Sequence, residues 1–405
     1  MRKNGFFLGM AMVFSLSACG PAATPSDGVL VERDGQTVVI RDPVEQDQIC
    51  KTHFCEPNYI VHADFARRRS VPVFFPTPTP TPMPTPRPSP RPSPAPEGDA
   101  SYTASKDYFD AAKSKMNTLE AWMLTQGSDD IIVADIDSGT NLSHPDLKAN
   151  LWTNPNESAA YPGYDRDGNG YTNDVHGYDF YDNDGNPEDE NGHGTHTAGT
   201  IAAAKNDIGV IGVAPHVKIM TLRFIGPNGE GSTYGAIQAI QYAVKMGARV
   251  ISASWGGSAY SAFLAQTIQN AQAAGVVFVA AAGNEGQNLR YSAVYPANIP
   301  GVISVAATDA NDQLAPFSNY GANEVMVAAP GVKIYSTYLN QGYTALSGTS
   351  MATPQVSGAI ALALSVNPRL SPEQIRTSLC NTADPFPGNA VQCGRINIGR
   401  FVSAQ

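Results

Sequence analysis

Six short, mostly apolar runs lie at 131–136, 217–222, 250–253, 276–280, 302–306 and 325–328 of this 405-residue chain. Each has the length and apolar content of one strand buried on both faces. Helical patterns such as 232–246 and 259–274 separate many of them. Strands alternating with helices build a parallel sheet with right-handed crossovers and helices on its faces. The chain is therefore expected to be an α/β protein, and the carboxyl ends of its strands are where ligands and catalytic groups gather.

Three motifs point to that edge. In IIVADIDSGTNLSHPDL (131–147) the apolar run ends in Asp137-Ser138-Gly139, which delivers a carboxylate to a strand end. NGHGTHTAGTIAA (191–203) reads as a glycine turn entering a helix, with His193 at its start. LSGTSMATPQVSG (346–358) is a polar, glycine-rich turn entering a helix of small residues, with Ser350 where that helix begins. A helix N-terminus has free N–H groups and a partial positive end. A serine held there has an anion site beside its Oγ, which suits a nucleophile whose product is an oxyanion. Alone, Ser350 reads equally well as an N-cap. The imidazole and carboxylate motifs shift the balance towards nucleophilic catalysis.

In chain order the three residues are Asp137, His193 and Ser350. The segments resemble the three active-site motifs of the subtilisin-like serine peptidases, the subtilase family. The order matches subtilisin and differs from those of chymotrypsin and the α/β-hydrolases. The similarity spans roughly residues 108–402. It implies a three-layer α/β/α fold with a mainly parallel sheet. It also implies a serine endopeptidase that hydrolyses peptide bonds of proteins through an acyl-enzyme. In that reading Ser350 attacks the carbonyl, His193 carries its proton to the leaving amine, and Asp137 orients the imidazole. Asn284, in AAGN (281–284), matches the family's oxyanion-hole asparagine. Losing such a donor costs about 3–4 kcal/mol, a figure that comes from a subtilisin itself.

The resemblance extends to substrate and metal. Ser254-Trp255-Gly256 matches the edge segment that pairs with the peptide backbone, a form of β-augmentation. Ala281, Ala282 and Gly283 would line the other side of the first specificity pocket, with Val294 near its closed end. Asp146 and the loop AKNDIGV (204–210) match the family's strong calcium site. The implied ligands are the side chains of Asp146 and Asn206 and the carbonyls of Ala204, Ile208 and Val210, an all-oxygen set that suits a hard cation.

Some residues stand outside the pattern. Position 135 is Asp where the family has an apolar residue, and Asp135 and Asp137 point to the same side of a strand. Two carboxylates so close would raise one pKa. Asp165, Asp167, Asn169 and Gly170 form an EF-hand-like DxDxNG, but the twelfth position is His176 instead of Glu. His196 follows His193 by one helical turn; without HExxH it reads as structural, and His144 reads as part of a turn. The rival functions are a catalytically weak peptide-binding or scaffold protein on the same fold, and a lipase or esterase. GTSMA is not the GxSxG elbow, and the Asp-His-Ser order opposes the lipase reading.

The N-terminal quarter carries the delivery signals. Residues 1–18 form a signal peptide with Arg2 and Lys3 ahead of an apolar stretch too short to span a bilayer. Leu16-Ser17-Ala18-Cys19 resembles the bacterial lipobox, which implies lipidation of Cys19, membrane attachment and an outer-membrane or cell-surface location. Residues 19–75 hold a strand-turn-strand pattern around Asp34-Gly35. EPNYIVHAD (56–64) resembles the closing strand of a subtilase pro-region, so 19–75 is expected to be a shortened pro-region or a disulfide-clipped spacer. Arg67-Arg68-Arg69 reads better as a solvated basic run than as a processing site. Residues 76–96 alternate proline with Thr, Ser and Arg, a polyproline II linker reaching roughly 65 Å. Residues 97–405 form the peptidase domain, opening with amphipathic helix at 107–125, where Phe109, Ala112, Met116, Leu119 and Met123 read as core. Apart from Cys19, the cysteines are Cys50, Cys55, Cys380 and Cys393. Of three possible pairings, Cys50–Cys55 with Cys380–Cys393 closes the shortest loops. A net charge of −10 that no basic stretch offsets argues against nucleic acid; a monomer acting on protein or peptide substrates is expected.

Overall fold

The computed structural model describes residues 25–33, 36–51, 53–63, 116–157 and 163–405. Cys19, the linker 76–96 and residues 107–115 of the first expected helix lie outside the described residues. An N-terminal unit comprises β1 (Pro25–Arg33), β2 (Gln36–Ile40), α1 (Pro43–Ile49) and β3 (Cys55–Ala63). β1 pairs antiparallel with both β2 and β3. The Cys50–Cys55 disulfide ties the end of α1 to the start of β3.

The larger unit starts with α2 (Thr118–Trp122), β4 (Ile132–Asp137), β5 (Gly177–Asp179), α3 (His193–Ala202) and β6 (Lys218–Arg223). It continues with β7 (Glu230–Ser232), α4 (Thr233–Lys245), β8 (Val250–Ala253), β9 (Trp255–Gly256), α5 (Ala262–Ala273), β10 (Val277–Ala281) and β11 (Ile303–Thr308). It ends with β12 (Val327–Pro330), the hairpin β13 (Ile334–Tyr338) and β14 (Gly342–Leu346), then α6 (Thr349–Val366), α7 (Pro372–Thr382), β15 (Gly394–Arg395) and α8 (Ile398–Ser403). Eight strands form one sheet in the order β15-β12-β11-β10-β8-β4-β6-β5. Every neighbouring pair in it is parallel. The six expected strands are all there, displaced by at most two residues.

The strands are apolar on both faces because both are covered. Ala134, Ile136, Met220, Leu222, Ile251 and Phe278 pack on α4 and α5 through Ile237, Ile240, Leu264 and Ile268. Val133, Ile219, Val250, Val279 and Val305 face the other way, against α3, α6 and α8. The result is a three-layer α/β/α arrangement. α6 is made of small residues and is buried from Thr349 to Leu364. At Gly358 a Cβ would stand 2.8 Å from the Val213 Cβ, so the close approach of α6 to that loop depends on glycine. Side chains cap the starts of α4 and α5: Ser232 accepts from Gly235 N at 3.1 Å and Ser261 from Leu264 N at 3.0 Å.

One sequence expectation fails here. Met116 is buried, but Leu119 is 42% exposed and Met123 is 79% exposed. α2 is only five residues long and touches the domain on one side through Ala121 and Trp122, with Met116 just ahead of it. Five residues cannot carry the full i, i+3, i+7 stripe that the pattern suggested.

Candidate active site

Asp137 ends β4, His193 opens α3, and Ser350 is the second residue of α6. All three are fully buried in this structure, in which β3 lies along the cleft. Two glycines let α3 land on the loop after β4. A Cβ on Gly194 would stand 2.1 Å from the Gly139 carbonyl oxygen, so no larger residue fits. Gly139 itself has a φ of +105°, which L side chains rarely adopt. The Gly194 N–H donates to Ser138 Oγ at 2.9 Å. With the helix so placed, His193 Nδ1 donates to Asp137 Oδ1 at 2.7 Å. That bond puts the proton on Nδ1 and leaves Nε2 with its lone pair, the tautomer a general base requires.

Asp189 holds this corner together and was not read from the sequence. Its Oδ1 accepts from Ser138 Oγ and from the N–H groups of Asn191 and Gly192, each at 2.9 Å. Its Oδ2 accepts from Thr195 N at 2.9 Å and Thr195 Oγ1 at 2.6 Å. An acidic residue four positions ahead of a helix with no side-chain N-cap was the available signal. Burial raises the Asp189 pKa, and the Thr195, Gly192 and Asn191 donors partly offset it.

Asp135 lies on the same face of β4 as Asp137. Its Oδ2 accepts from Thr197 Oγ1 at 2.8 Å, one turn into the His193 helix. Burial raises its pKa well above the usual carboxylate range, and the charges of Asp137 and Asp189 add to the rise against the Thr197 bond. The sequence expectation that one of the paired carboxylates is shifted upward is met, and Asp135 is that one.

Pro354 explains a detail at Ser350. A proline inside a helix leaves the carbonyl four residues earlier without its N–H partner. That carbonyl belongs to Ser350, and Ser254 Oγ donates to it at 3.0 Å. In return Ser350 Oγ donates to the Ser254 carbonyl at 3.0 Å. Asn284 stands beside the same turn: its Oδ1 accepts from Thr349 N at 2.9 Å and Thr349 Oγ1 at 3.2 Å, which fixes the orientation of its amide. The Gly283 N–H donates to Thr349 Oγ1 at 3.1 Å. Asn319, missed from the sequence, clamps the loop by donating from Nδ2 to the Ala282 carbonyl at 2.9 Å and accepting from Gln287 N at 2.8 Å. Val294 is half-buried against the cluster that holds Ala282, Leu289 and Ala297.

The expected substrate edge is β9. Its Trp255 ring is buried against Phe224 and donates from Nε1 to the Ile136 carbonyl at 2.8 Å, so only backbone faces the cleft. That backbone pairs antiparallel with β3, with His62 opposite Gly256 and Ala63 opposite Trp255. On its other side β3 pairs with β7, a strand the sequence reading did not include, with Ile60 opposite Ser232. β3 also grips two helix N-termini. Glu56 accepts from Ser261 Oγ and, at 2.8 Å, from Ala262 N at the start of α5. Asn58 Oδ1 accepts from Tyr234 N at 2.9 Å at the start of α4.

The structure also brings together the residues expected to hold calcium. Asp146 Oδ2 accepts from Val210 N at 3.0 Å and Tyr343 Oη at 2.9 Å, while Ala204 N donates to the Asp146 carbonyl at 2.7 Å. A Cβ on Gly209 would stand 2.1 Å from Asp146 Oδ2, so the loop 204–210 wraps the carboxylate closely. Asn206 reaches the Pro145 carbonyl at 3.4 Å beside it. An all-oxygen donor set around a buried carboxylate fits a hard cation. His144 and His196 are structural, as expected. His144 accepts from Asp146 N at 3.2 Å and bonds the Gly342 carbonyl. His196 donates to the Ile334 carbonyl at 2.9 Å, and burial pushes its pKa down to about 3. The cysteines pair as the local connectivity predicted, Cys50–Cys55 and Cys380–Cys393.

A parallel α/β sheet that presents a carboxylate, an imidazole and a serine at a helix start defines a serine hydrolase. The sequence model of the subtilase family matches residues 128–395. The chain is 39% identical to thermitase of Thermoactinomyces vulgaris over 307 residues, 74% of this chain and 99% of that protein. It is 41% identical to subtilisin DY of Bacillus licheniformis over 274 residues, 67% of this chain and 90% of the relative. It is 44% identical to subtilisin Savinase of Lederbergia lenta over 207 residues, 51% and 76% of the two chains. The protein belongs to the subtilase family and is a subtilisin-like serine endopeptidase. The scaffold and lipase readings are not favoured.

Proposed function

We propose that Ser350, His193 and Asp137 are the nucleophile, general base and orienting carboxylate of peptide hydrolysis, with Asn284 donating to the oxyanion. The observation that carries this reading is the 2.7 Å bond from His193 to Asp137, in one cleft with a serine at the start of α6. Substrate lies extended between β7 and β9 with Ser254, Trp255 and Gly256 on one edge, and Ala281, Ala282 and Gly283 line the first pocket. Calcium, held by Asp146, Asn206 and the carbonyls of Ala204, Ile208 and Val210, stabilises the loop 204–210. Its supply of positive charge would balance a carboxylate buried beside Tyr343. Fluorophosphonate labelling of the purified chain beside Ser350→Ala, with casein cleavage in parallel, tests the assignment. Labelling and cleavage that persist in Ser350→Ala would overturn it.

The N-terminal unit is a shortened pro-region lying in the substrate cleft. The β3 pairing with both β7 and β9 supports this reading, because the same edges would receive a peptide. Among the described residues it has three strands and one helix, a compact inhibitor clipped by Cys50–Cys55. The delivery reading completes the layout: a signal peptide at 1–18, lipidation of Cys19, the pro-region within 19–75, the linker 76–96 as a stalk, and the peptidase domain 97–405. It makes the protein an exported, membrane-anchored monomer acting on protein or peptide substrates. No helix among the described residues is long and apolar enough to cross a membrane. Metabolic labelling with a palmitate analogue, compared with Cys19→Ser, tests the anchor.

A further inference from the structure

The loop 165–170 has the EF-hand beginning DxDxNG but His176 at the twelfth position. The fold sends His176 elsewhere: its Nδ1 bonds the Trp152 carbonyl at 2.9 Å. A different carboxylate takes up the space. Glu157, from the turn that precedes the loop, places one oxygen within 4.8 Å of an oxygen from each of Asp165 and Asp167. Glu157 is only 7% exposed. Its Oε1 accepts from Arg166 N at 2.6 Å, which aims the carboxylate at the loop. Its Oε2 is buried with no hydrogen-bond partner. A buried carboxylate oxygen without a donor is costly, and two more carboxylates beside it make the cost larger. A bound cation removes both problems.

We propose that Glu157, Asp165 and Asp167 bind a divalent cation, calcium by their chemistry, at a site distinct from the one around Asp146. The donors are carboxylates, the hard oxygen ligands that calcium takes. Asn169 sets the loop: its N–H donates to Asp165 Oδ1 and Asp167 Oδ1, each at 3.0 Å. Lys245 donates to the Asn169 carbonyl at 2.9 Å and takes that oxygen out of the ligand set. Glu157 supplies, from outside the loop, the acidic ligand that an EF-hand draws from its last position. The site joins the turn at 157 to the loop at 165–170.

The test uses the full chain carrying Ser350→Ala to prevent self-cleavage, stripped of metal and titrated calorimetrically with calcium chloride. The double variant Asp165→Asn/Asp167→Asn is expected to bind one ion fewer per chain. Asp146→Asn is expected to keep this ion, which separates the site from the one already described. Glu157→Gln, which preserves size, is expected to weaken it by about tenfold or more. Terbium luminescence sensitised by the neighbouring Tyr164 and Tyr171 should fall in the same variants. An unchanged ion count in the double variant, in protein whose circular dichroism matches the parent, would overturn the proposal. If the double variant does not fold, Glu157→Gln decides alone, and unchanged calcium affinity there overturns it.

Discussion

Both faces of the central sheet are dry and largely apolar, but at β4 only one of them carries carboxylates. Against α4 and α5 the strands present Ile136, Met220, Leu222, Ile251 and Phe278, with Trp255 and Phe224 in edge contact beyond them. Against α3 and α6 the same strands carry Asp135 and Asp137 as well as Val133, and the facing helices are rich in Gly, Ala, Ser and Thr. The first face gains its stability from large apolar side chains. The second gives up some of that gain to hold buried polar groups, each of which needs a donor or acceptor. Stability and chemistry are thus divided between faces, and substitutions should respect the division.

The largest effects belong to the polar face. Ser350→Ala is expected to lower kcat by about 10⁶, the scale measured when the serine of a subtilisin is removed. Asn284→Ala should lower kcat by about 10²–10³ with little change in KM, because the donor acts on charge that exists only in the transition state. Steady-state kinetics on a peptide substrate checks both. A rise in KM with unchanged kcat in Asn284→Ala would mean that the amide binds substrate and not the oxyanion.

On the apolar face Phe278→Ala is expected to cost about 3–5 kcal/mol of stability through the cavity it leaves. Phe278 is buried within the α4–α5 layer, so kcat measured well below the melting temperature should stay near that of the parent. Denaturant unfolding and kinetics on one preparation decide it. A tenfold loss of kcat without loss of stability would erase the distinction between the faces.

Much of this division was legible in the sequence. The strands announced themselves because a strand covered on both faces has nowhere to put polar residues, and the three motifs stood out because each broke an apolar run or opened a helix. What escaped was tertiary. Asn319 acts through four hydrogen bonds to the loop 282–287, more than thirty positions away, and nothing local marks it. Asp189 bonds its own turn at Asn191, Gly192 and Thr195, but its link to Ser138 spans 51 positions. Arg223 pairs with Asp179, Asp182 and Glu190, which lie 33 to 44 positions away. β7 is three residues long and is defined by what pairs with it. The exposed Met123 shows the reverse error, a helical pattern read as core where only one turn of helix meets the domain.

The polar face should also respond to pH in two opposite ways. His196, pushed to about 3 by burial, stays neutral where the unfolded chain is protonated. Its contribution is present above about pH 6.5 and is lost as the pH falls below it. Asp135, raised by burial and by Asp137, keeps its proton where the unfolded chain has released it. Its contribution is present below about pH 4 and is lost as the pH rises through its folded pKa. Each unit of difference is worth about 1.4 kcal/mol. In a Ser350→Ala background, His196→Gln should flatten the acid limb of the melting-temperature profile. Asp135→Asn should flatten the limb above pH 5 and leave the acid limb unchanged. A flatter acid limb in Asp135→Asn, with the limb above pH 5 unchanged, would mean that the carboxylate is charged and stabilising.

The apolar face has one functional duty, at its rim. The N-termini of α4 and α5 receive Asn58 and Glu56 of β3, so the layer that supplies stability also anchors the segment across the cleft. Glu56 caps α5 from another part of the chain, where its carboxylate meets the positive helix end. Removing such a cap costs about 1–2 kcal/mol, which is roughly 5- to 30-fold in an opening equilibrium. Glu56→Ala should therefore speed amide exchange in β3 by that factor and leave β8 and β10 unchanged. Hydrogen exchange on the full chain with Ser350→Ala reads both regions at once. If β3 and the central strands lose protection together, the N-terminal unit is part of the cooperative core and cannot leave the cleft on its own. If β3 alone opens faster, the segment docks as a separate unit, and the polar face can be exposed to a peptide without disturbing the layer beneath it.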